Sequence, residues 1–219
     1  MDGTVGQYLS SGIRECLGDI VVFLDDDDSF SADKLEYVFN FFRKKNGLVY
    51  LHNNAKYVDY EGKTLKKIHR NNIDFNMSCI SIKKTIVNFK ELENIYTAPD
   101  TLMYLFALQS SGKIINSNYK LTYYRVHQGN TSNNLEWYKI YRKQLKSFYF
   151  KYHDRKERDV LEDHILSSAI FIHIKEGKEL KFKRFIYDLL FLSITLNKTL
   201  LVLLIKRELM SIYKKYMSK

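Results

Sequence analysis

The 219-residue sequence contains only two cysteines and one proline. Cys16 and Cys79 are too few and too scattered for a disulfide framework or a zinc site, so we expect two buried free thiols. We find no internal repeat and no low-complexity linker, which excludes a repeat array. The hydrophobic content of 45% and the aromatic content of 15% instead predict one ordinary domain, or a domain with an appendage.

Long uncharged apolar runs are also missing. In the C-terminal part the longest are Leu189–Asn197 and Thr199–Ile205, and both are shorter than the roughly 20 residues that a membrane-spanning helix needs. The opening Met1-Asp2-Gly3 lacks the basic start and apolar core of a secretory signal. We therefore expect a cytoplasmic protein.

The net positive charge of the chain comes from one end. Residues 1–138 hold 16 Lys and Arg against 16 Asp and Glu, whereas residues 139–219 hold 19 against 9 and supply the whole net charge of +10. The second part contains no strand pattern, and we predict helices over about 135–152, 156–176, 180–196 and 199–216. The expected organisation is a body over residues 1–134 and a basic helical region over residues 135–219.

Two interpretations of the basic region stay open. Basic residues flank its apolar segments, a composition typical of helices that lie on an anionic membrane surface, which would place the protein on the inner face of the membrane. The same helices could pack on the body with their lysines solvated. Nucleic acid is the least favoured partner because no recognised binding motif is present. The basic residues are Lys181, Lys183, Arg184, Lys206, Arg207, Lys214 and Lys215.

The most informative stretch is the apolar run Ile20–Leu24, which leads directly into four carboxylates, Asp25 to Asp28. Such a run predicts a strand buried on both faces, as in parallel sheets, and ligands in open α/β sheets bind at the carboxyl ends of the strands. Adjacent carboxylates repel one another unless a cation neutralises them, and hard oxygen ligands suit Mg²⁺ or Mn²⁺. The alternative is a solvated acidic turn that caps the next helix.

The remaining pattern alternates helices and strands up to residue 126. We predict a helix after Ser31 with the apolar stripe Leu35, Val38, Phe39 and Phe42. Further predicted elements are a strand at Leu48–Leu51, a hairpin around Glu61-Gly62-Lys63, a strand at Cys79–Ile82, a helix after Pro99, and two strands at Lys113–Ile115 and Leu121–Val126. This order predicts an α/β fold, a mixed sheet flanked by helices, with a helical C-terminal appendage.

Five short motifs follow one another over about residues 4–133. They are Gly18-Asp19 with Phe23-Leu24-Asp25-Asp26-Asp27-Asp28, Asp33-Lys34-Leu35-Glu36, Asp59 with Glu61-Gly62-Lys63, Ala98-Pro99-Asp100-Thr101-Leu102, and Tyr124-Arg125-Val126-His127 with Asn130 and Ser132. In order and spacing they resemble the later two-thirds of family 2 glycosyltransferases, which have the Rossmann-like GT-A fold. The resemblance implies an inverting transferase that moves a sugar from a UDP- or GDP-sugar to a glycan or lipid-linked hydroxyl.

The resemblance also implies roles for individual residues. The family's Asp-x-Asp motif, which holds Mn²⁺ or Mg²⁺ against the donor diphosphate, maps onto Asp25 and Asp27. Asp27 is the closest metal ligand, Asp25 lies nearer the ribose, Asp28 is a supporting metal ligand, and Asp26 belongs with the donor-binding residues.

A second set of implied roles lies further along the chain. Asp100 matches the family's general base, although Ala98-Pro99-Asp100 replaces the commoner Glu-Asp pair. Arg125 and His127 match the residues that close over the diphosphate. Their ordinary alternatives are a carboxylate favoured by the helix dipole, for Asp100, and surface residues at a strand end, for Arg125 and His127.

The chain departs from the family at its beginning. The family's first strand and helix, which hold the nucleoside base, have no counterpart before Met1. Three alternatives follow: a shortened enzyme, a chain completed by a partner, or an inactive transferase-like module that binds a membrane or a partner.

Two other functions fit the acidic run poorly. An aspartate-based phosphohydrolase would use Asp25 as nucleophile and Asp27 as general acid, but it needs a later acidic pair near a Gly-Asp, and the only Gly-Asp precedes the strand. A calcium loop needs glycine at its sixth position, where this chain has Phe30.

Overall fold

The computed structural model describes residues 3–65, 76–127 and 134–176. Its helices are α1 (Val5–Glu15), α2 (Lys34–Lys44), α3 (Phe89–Leu92), α4 (Pro99–Gln109), α5 (Leu135–Lys151) and α6 (Arg155–Glu176). Its strands are β1 (Ile20–Val22), β2 (Ser29–Phe30), β3 (Leu48–Val58), β4 (Ile80–Lys83) and β5 (Lys113–Arg125). Short 3₁₀ turns at Met77–Cys79 and Lys84–Ile86 flank β4.

The strands form one five-stranded mixed sheet in the order β1-β4-β3-β5-β2. The two long strands β3 and β5 run parallel, whereas β1–β4, β4–β3 and β2–β5 are antiparallel pairs. The α/β class and the mixed sheet predicted from the sequence are confirmed.

The strand before the carboxylates differs from its prediction. β1 pairs only with β4 within the described residues, in antiparallel register, and it stands at the edge of the sheet rather than in a parallel centre. Val21 is buried while Ile20 and Val22 are half-buried. An apolar run indicates that a strand is buried, but it does not indicate the direction of the neighbouring strand. The prediction of a parallel strand was wrong for this reason.

Two further strand predictions also need correction. The segments predicted as separate strands at 113–115 and 121–126 form the single strand β5, which follows β3 along its length with register shifts. The two-residue strand β2, directly after the carboxylates, had no sequence signal and pairs with Thr122 and Tyr123 of β5. This pairing brings the end of β5 beside the acidic run.

Helix α2 packs a different face from the one its apolar stripe predicts. Val38 and Phe42 are buried against Leu48 and Leu51 in a core cluster, as expected. Leu35 and Phe39, however, are more than half exposed. The buried face continues instead at Lys34, four residues before Val38, because polar partners from β5 and from the turn before β4 receive its ammonium group.

Helix α4 lies in the interior of the body. Six of its eleven residues are buried, namely Thr101, Leu102, Met103, Leu105, Phe106 and Ala107. A helix that is apolar on most of its surface is stable only when protein surrounds it. Since α4 begins at Pro99, its first turn, and Asp100 with it, is fixed by this packing.

The chain forms two compact units, Met1–Gln144 and Leu145–Lys219. In the second unit, Phe148, Tyr152, Leu161 and Ile165 are buried, and the Tyr149 hydroxyl donates to Glu162 at 2.9 Å. The division predicted at residue 134 stays a prediction. The helices predicted over 180–196 and 199–216 lie outside the described residues, as does the basic tail for which membrane contact is one of the open interpretations. Within the described segments, no helix combines the length and the apolar character needed to cross a bilayer.

Candidate active site

The four carboxylates form a tight turn between β1 and β2. The Asp28 N–H donates to the Asp25 carbonyl at 3.2 Å, which closes the turn. Asp25 and Asp26 are exposed, Asp27 is half-buried and Asp28 is 9% exposed. The turn therefore buries Asp28 and leaves the other three residues exposed or half-buried.

Asp28 connects this turn to two other segments. Its Oδ1 accepts the backbone N–H of Arg125 at 3.0 Å, and its Oδ2 lies 3.4 Å from the side-chain nitrogen of Asn76. A buried carboxylate needs such donors, since an unpaired buried charge is costly. Asp28 thus fixes the end of β5 against the acidic turn.

The end of β5 also brings His127 to the turn. Its Nε2 lies 2.9 Å from Oδ2 of Asp27, and both side chains are about one-third exposed. Arg125 lies two residues earlier, with its guanidinium 5.8 Å from the Tyr60 ring centroid. The structure therefore brings together Asp27, Asp28, Arg125 and His127, which are separated by about one hundred positions in the sequence.

Asp25 has an unusual charge environment. The loss of water around its carboxyl, followed by repulsion from Asp28, Asp27 and Asp100, raises its pKa to about 6. Its backbone N–H donates to the Ser78 hydroxyl at 2.9 Å, which fixes the main chain at the start of the turn. Repulsion of this kind favours a proton or a cation at the site.

Asp100 lies at the start of α4, behind an unusual backbone turn. Ala98 has φ 60° and ψ 41°, a left-handed conformation that is uncommon for a residue other than glycine. Such conformations persist only where the surrounding structure enforces them, and they occur often at functional sites. Here the turn directs the chain into Pro99 and places Asp100 in the first helical turn.

The pKa of the Asp100 carboxyl is raised, which is the direction expected of a general base. Burial raises its pKa to about 6, although hydrogen bonds from the N–H and hydroxyl of Thr101, at 2.7 and 3.4 Å, oppose the rise. The helix dipole also favours the charged form, so the effect of burial on the pKa of Asp100 outweighs both. A carboxyl with this pKa is mostly ionised at pH 7 and still basic enough to accept a proton.

Two buried tyrosines, Tyr50 and Tyr141, lie near this carboxyl, and no sequence pattern predicted them. Burial raises the pKa of Tyr50 and of Tyr141, and the Asp100 charge adds to both shifts. Tyr104 meets the Tyr50 ring edge-on with the ring centroids 5.3 Å apart. The Tyr50 hydroxyl is buried and forms no hydrogen bond with the described residues.

The carboxylates of the acidic turn could hold a divalent cation only if a bound ligand completes the coordination shell of the cation. Within the described residues, no three His, Cys, Asp or Glu side chains are grouped so that they could hold a metal by themselves. Mg²⁺ typically takes one or two protein carboxylates together with water and substrate phosphates, and the turn can supply that number. The metal assignments of Asp25, Asp27 and Asp28 stay predictions, as do the donor-binding roles of Asp26, Arg125 and His127 and the basic role of Asp100.

Comparison with solved structures shows the fold. One of 22 matching chains is residues 1–349 of TarS from S. aureus, with a TM-score of 0.54 and 13% sequence identity. The match covers 90% of this chain and 62% of that chain. The five-stranded mixed sheet with its flanking helices is GT-A-like, as the sequence predicted.

Comparison with protein families covers the part of the chain that carries both carboxylate sites. No curated protein matches the chain. Glycosyl transferase family 2 matches residues 5–108, which include the acidic turn and Asp100. The resemblance seen in the sequence is therefore confirmed for residues 5–108, the segment over which this chain is similar to glycosyl transferase family 2.

Proposed function

We propose that this protein transfers a sugar from a nucleoside-diphosphate-sugar to an acceptor hydroxyl with inversion at the anomeric carbon, in a reaction that depends on Mn²⁺ or Mg²⁺. The observation that carries the proposal is the pairing of two carboxylate sites within one family 2 segment. One is the acidic turn Asp25–Asp28, and the other is the half-buried Asp100, which lies near enough for its charge to raise the pKa of Asp25. The donor nucleotide would be UDP or GDP, and the acceptor a glycan or a lipid-linked saccharide.

The acidic turn would bind the donor. Asp25 and Asp27 would offer carboxylate oxygens to the cation, while Asp28 holds the turn against Arg125. A bound divalent cation would supply offsetting charge for the diphosphate as it leaves. Arg125 and His127, at the end of β5, would contact the diphosphate from the other side, and Asp26 would add a donor contact.

Asp100 would act on the acceptor. As the acceptor oxygen attacks the anomeric carbon, its bond to that carbon forms, the bond between the carbon and the diphosphate oxygen breaks, and the acceptor proton passes to Asp100. Direct displacement by the acceptor inverts the configuration. The raised pKa of Asp100, about 6, supports this role because the carboxylate is ionised yet basic at neutral pH.

Membrane contact of the basic tail belongs to the same proposal. A lipid-linked acceptor would lie at a membrane surface, and the C-terminal lysines and arginines would hold the enzyme there. This would place the protein in the cytoplasm, on the inner face of the membrane. The test is sedimentation of the full chain with vesicles that contain anionic lipid, compared with neutral vesicles.

The decisive test of the proposed function is calorimetric titration of the full chain with UDP and with GDP, with and without Mn²⁺. We expect saturable binding of one nucleotide that requires the metal. Asp27→Ala should abolish the metal-dependent part of the binding. The matched control is Asp19→Asn, which removes an exposed carboxylate just before β1 and should leave binding unchanged.

The alternative is a transferase-like module without catalytic activity. A wild-type chain that is folded by circular dichroism, yet binds neither nucleotide with Mn²⁺ present, would contradict the enzyme and favour this module. The chain spans 62% of the solved structure it resembles. A partner chain that completes the donor site, one of the alternatives raised by the sequence, is then the next hypothesis to test.

A further inference from the structure

Lys34 is fully buried at 0% exposure, in the first turn of α2. Lysine is almost never fully buried unless its charge is paired, because removing an ammonium group from water is costly. Burial lowers the pKa of Lys34 to about 8, and attraction to the charges of Cys79 and Asp28 partly opposes this shift. The side chain is therefore still a cation at neutral pH, inside the body and close to the acidic turn.

The contacts of Lys34 all lie on segments that flank this turn. Its Nζ donates to the carbonyl of Ser78 and to the hydroxyl of Thr122, the latter at 3.0 Å. It also lies 3.9 Å from the ring centroid of Phe30, the second residue of β2. Lys34 thus links four segments at one point. These are helix α2, strand β2, strand β5 and the short turn that precedes β4.

Hydrogen bonds lead from this point to the carboxylates. The Ser78 hydroxyl accepts the N–H of Asp25 at 2.9 Å, and the Ser78 N–H donates to Oδ1 of Asn76 at 2.7 Å. The Asn76 side chain in turn reaches Oδ2 of Asp28 at 3.4 Å. The Thr122 hydroxyl closes the network by donating to the Ser78 carbonyl at 2.8 Å.

We propose that Lys34 is a positioning residue for donor binding: through Ser78 and Asn76 it holds the main chain of Asp25 and the carboxylate of Asp28 in the arrangement that binds a divalent cation with a nucleoside diphosphate. This inference rests on the proposed function. Lys34 does not touch the donor in this account, since the whole side chain is buried behind the turn.

The physical reason is the mutual repulsion of the carboxylates. Without a fixed cation behind them, Asp25 and Asp28 would separate, and the first residue of the turn would lose its fixed position. Groups that orient metal ligands from behind typically change metal affinity 10- to 100-fold when they are removed. The expected effect of losing Lys34 is therefore on affinity for the metal complex, beyond any effect on folding.

The experiment is titration of the full chain with UDP at saturating Mn²⁺, for the wild type and for Lys34→Met. We expect roughly 10- to 100-fold weaker binding in the variant. Lys84→Met is the matched control, because the Lys84 Nζ also donates to two backbone carbonyls, those of Arg14 and Cys16 at 3.0 and 2.7 Å, away from the carboxylates. Lys84→Met should bind as the wild type does.

A second control separates positioning from loss of stability. Val38 lies on the same buried face of α2 and is 2% exposed, but it packs in the apolar core cluster. Val38→Ala should lower the free energy of unfolding in urea without weakening Mn²⁺-dependent UDP binding. Equal losses of affinity in Val38→Ala and Lys34→Met would overturn the proposal, because both would then reflect a weakened helix.

Further variants keep the proposal testable if Lys34→Met does not fold. Thr122→Val removes the hydroxyl between Lys34 and Ser78 and should weaken binding severalfold, whereas unchanged affinity would overturn the proposal. In a folded Lys34→Met background, adding Ser78→Ala should cost little more than either change alone. Fully additive losses would contradict an action through Ser78.

The outcomes for the two proposals are distinguishable. If the wild type binds neither nucleotide with Mn²⁺, the proposed function fails. If the wild type binds and Lys34→Met binds equally well, only the role of Lys34 fails.

Discussion

The acidic turn after β1 and the first turn of α4 each contain a carboxyl group whose pKa is raised to about 6, but the causes differ. At Asp25 the desolvation is reinforced by three neighbouring carboxylates, whereas at Asp100 burial acts alone against two hydrogen bonds from Thr101. A cation would reverse the repulsion at Asp25, while it would leave the burial of Asp100 in place. We therefore expect the first site to take a metal and the second to take a proton.

The largest expected effect separates binding from transfer. Asp100→Asn should lower kcat by about 10²- to 10⁴-fold, the usual contribution of a general base, and should leave Mn²⁺-dependent nucleotide binding intact. The measurement is sugar transfer with saturating donor, beside calorimetric titration of the same variant.

A matched control tests whether any carboxylate in the first turn of a helix has this effect. Glu36 occupies the first turn of α2 and is exposed. Glu36→Gln should retain full activity. A comparable loss of kcat in both variants would remove the special role of Asp100.

The next largest effect is stabilisation of the folded protein by the bound metal and nucleotide. Mn²⁺ with UDP at 100 times its Kd should raise the free energy of unfolding of the wild type by about 2.7 kcal/mol, and EDTA should remove the gain. The Asp100→Asn variant should show the same gain and Asp27→Ala should show none. Thermal unfolding monitored by circular dichroism measures it. A gain that survives in Asp27→Ala would place the metal outside the acidic turn.

A smaller effect follows from the burial of Asp100. Its folded-state pKa of about 6 exceeds the ordinary value of 3.8, so the folded protein binds more protons between these values, and the wild type loses stability as the pH rises through this window. Asp100→Asn should therefore be more stable than the wild type at pH 8, by about 1 to 3 kcal/mol. The difference should vanish near pH 3.5. Urea unfolding at several pH values measures it, and a destabilised variant at pH 8 would contradict the buried charge.

The smallest effect is a displacement of the pH profile. Transfer by the wild type, measured with saturating donor and Mn²⁺, should fall as the pH drops below about 6, because protonated Asp100 cannot accept the acceptor's proton. Thr101→Ala removes one hydrogen bond that lowers the pKa of Asp100, so the acid side of the profile should move to higher pH. A displacement toward lower pH would show that another group controls the profile.

Much of the fold was predictable because its signals are local. The apolar run before Asp25, the helix that begins at Pro99 and the alternation of helices and strands gave the α/β class and the positions of both carboxylate sites. The sequence did not show which face of α2 is buried. Leu35 follows the apolar period yet is exposed, and Lys34 breaks the period yet is buried, because its partners Ser78 and Thr122 lie 44 and 88 positions away.

The sequence by itself therefore determined the class of fold and the presence of an acidic turn after a strand, since periodicity and adjacent residues decide these. Only the tertiary structure decided that β1 is an antiparallel edge strand, that β5 brings His127 to within 2.9 Å of Asp27, and that a buried lysine stands behind the turn. Strand direction and the environment of a charge depend on groups far away in the chain. They become fixed only when the sheet assembles, because burial and pairing then set the free energy of each charge.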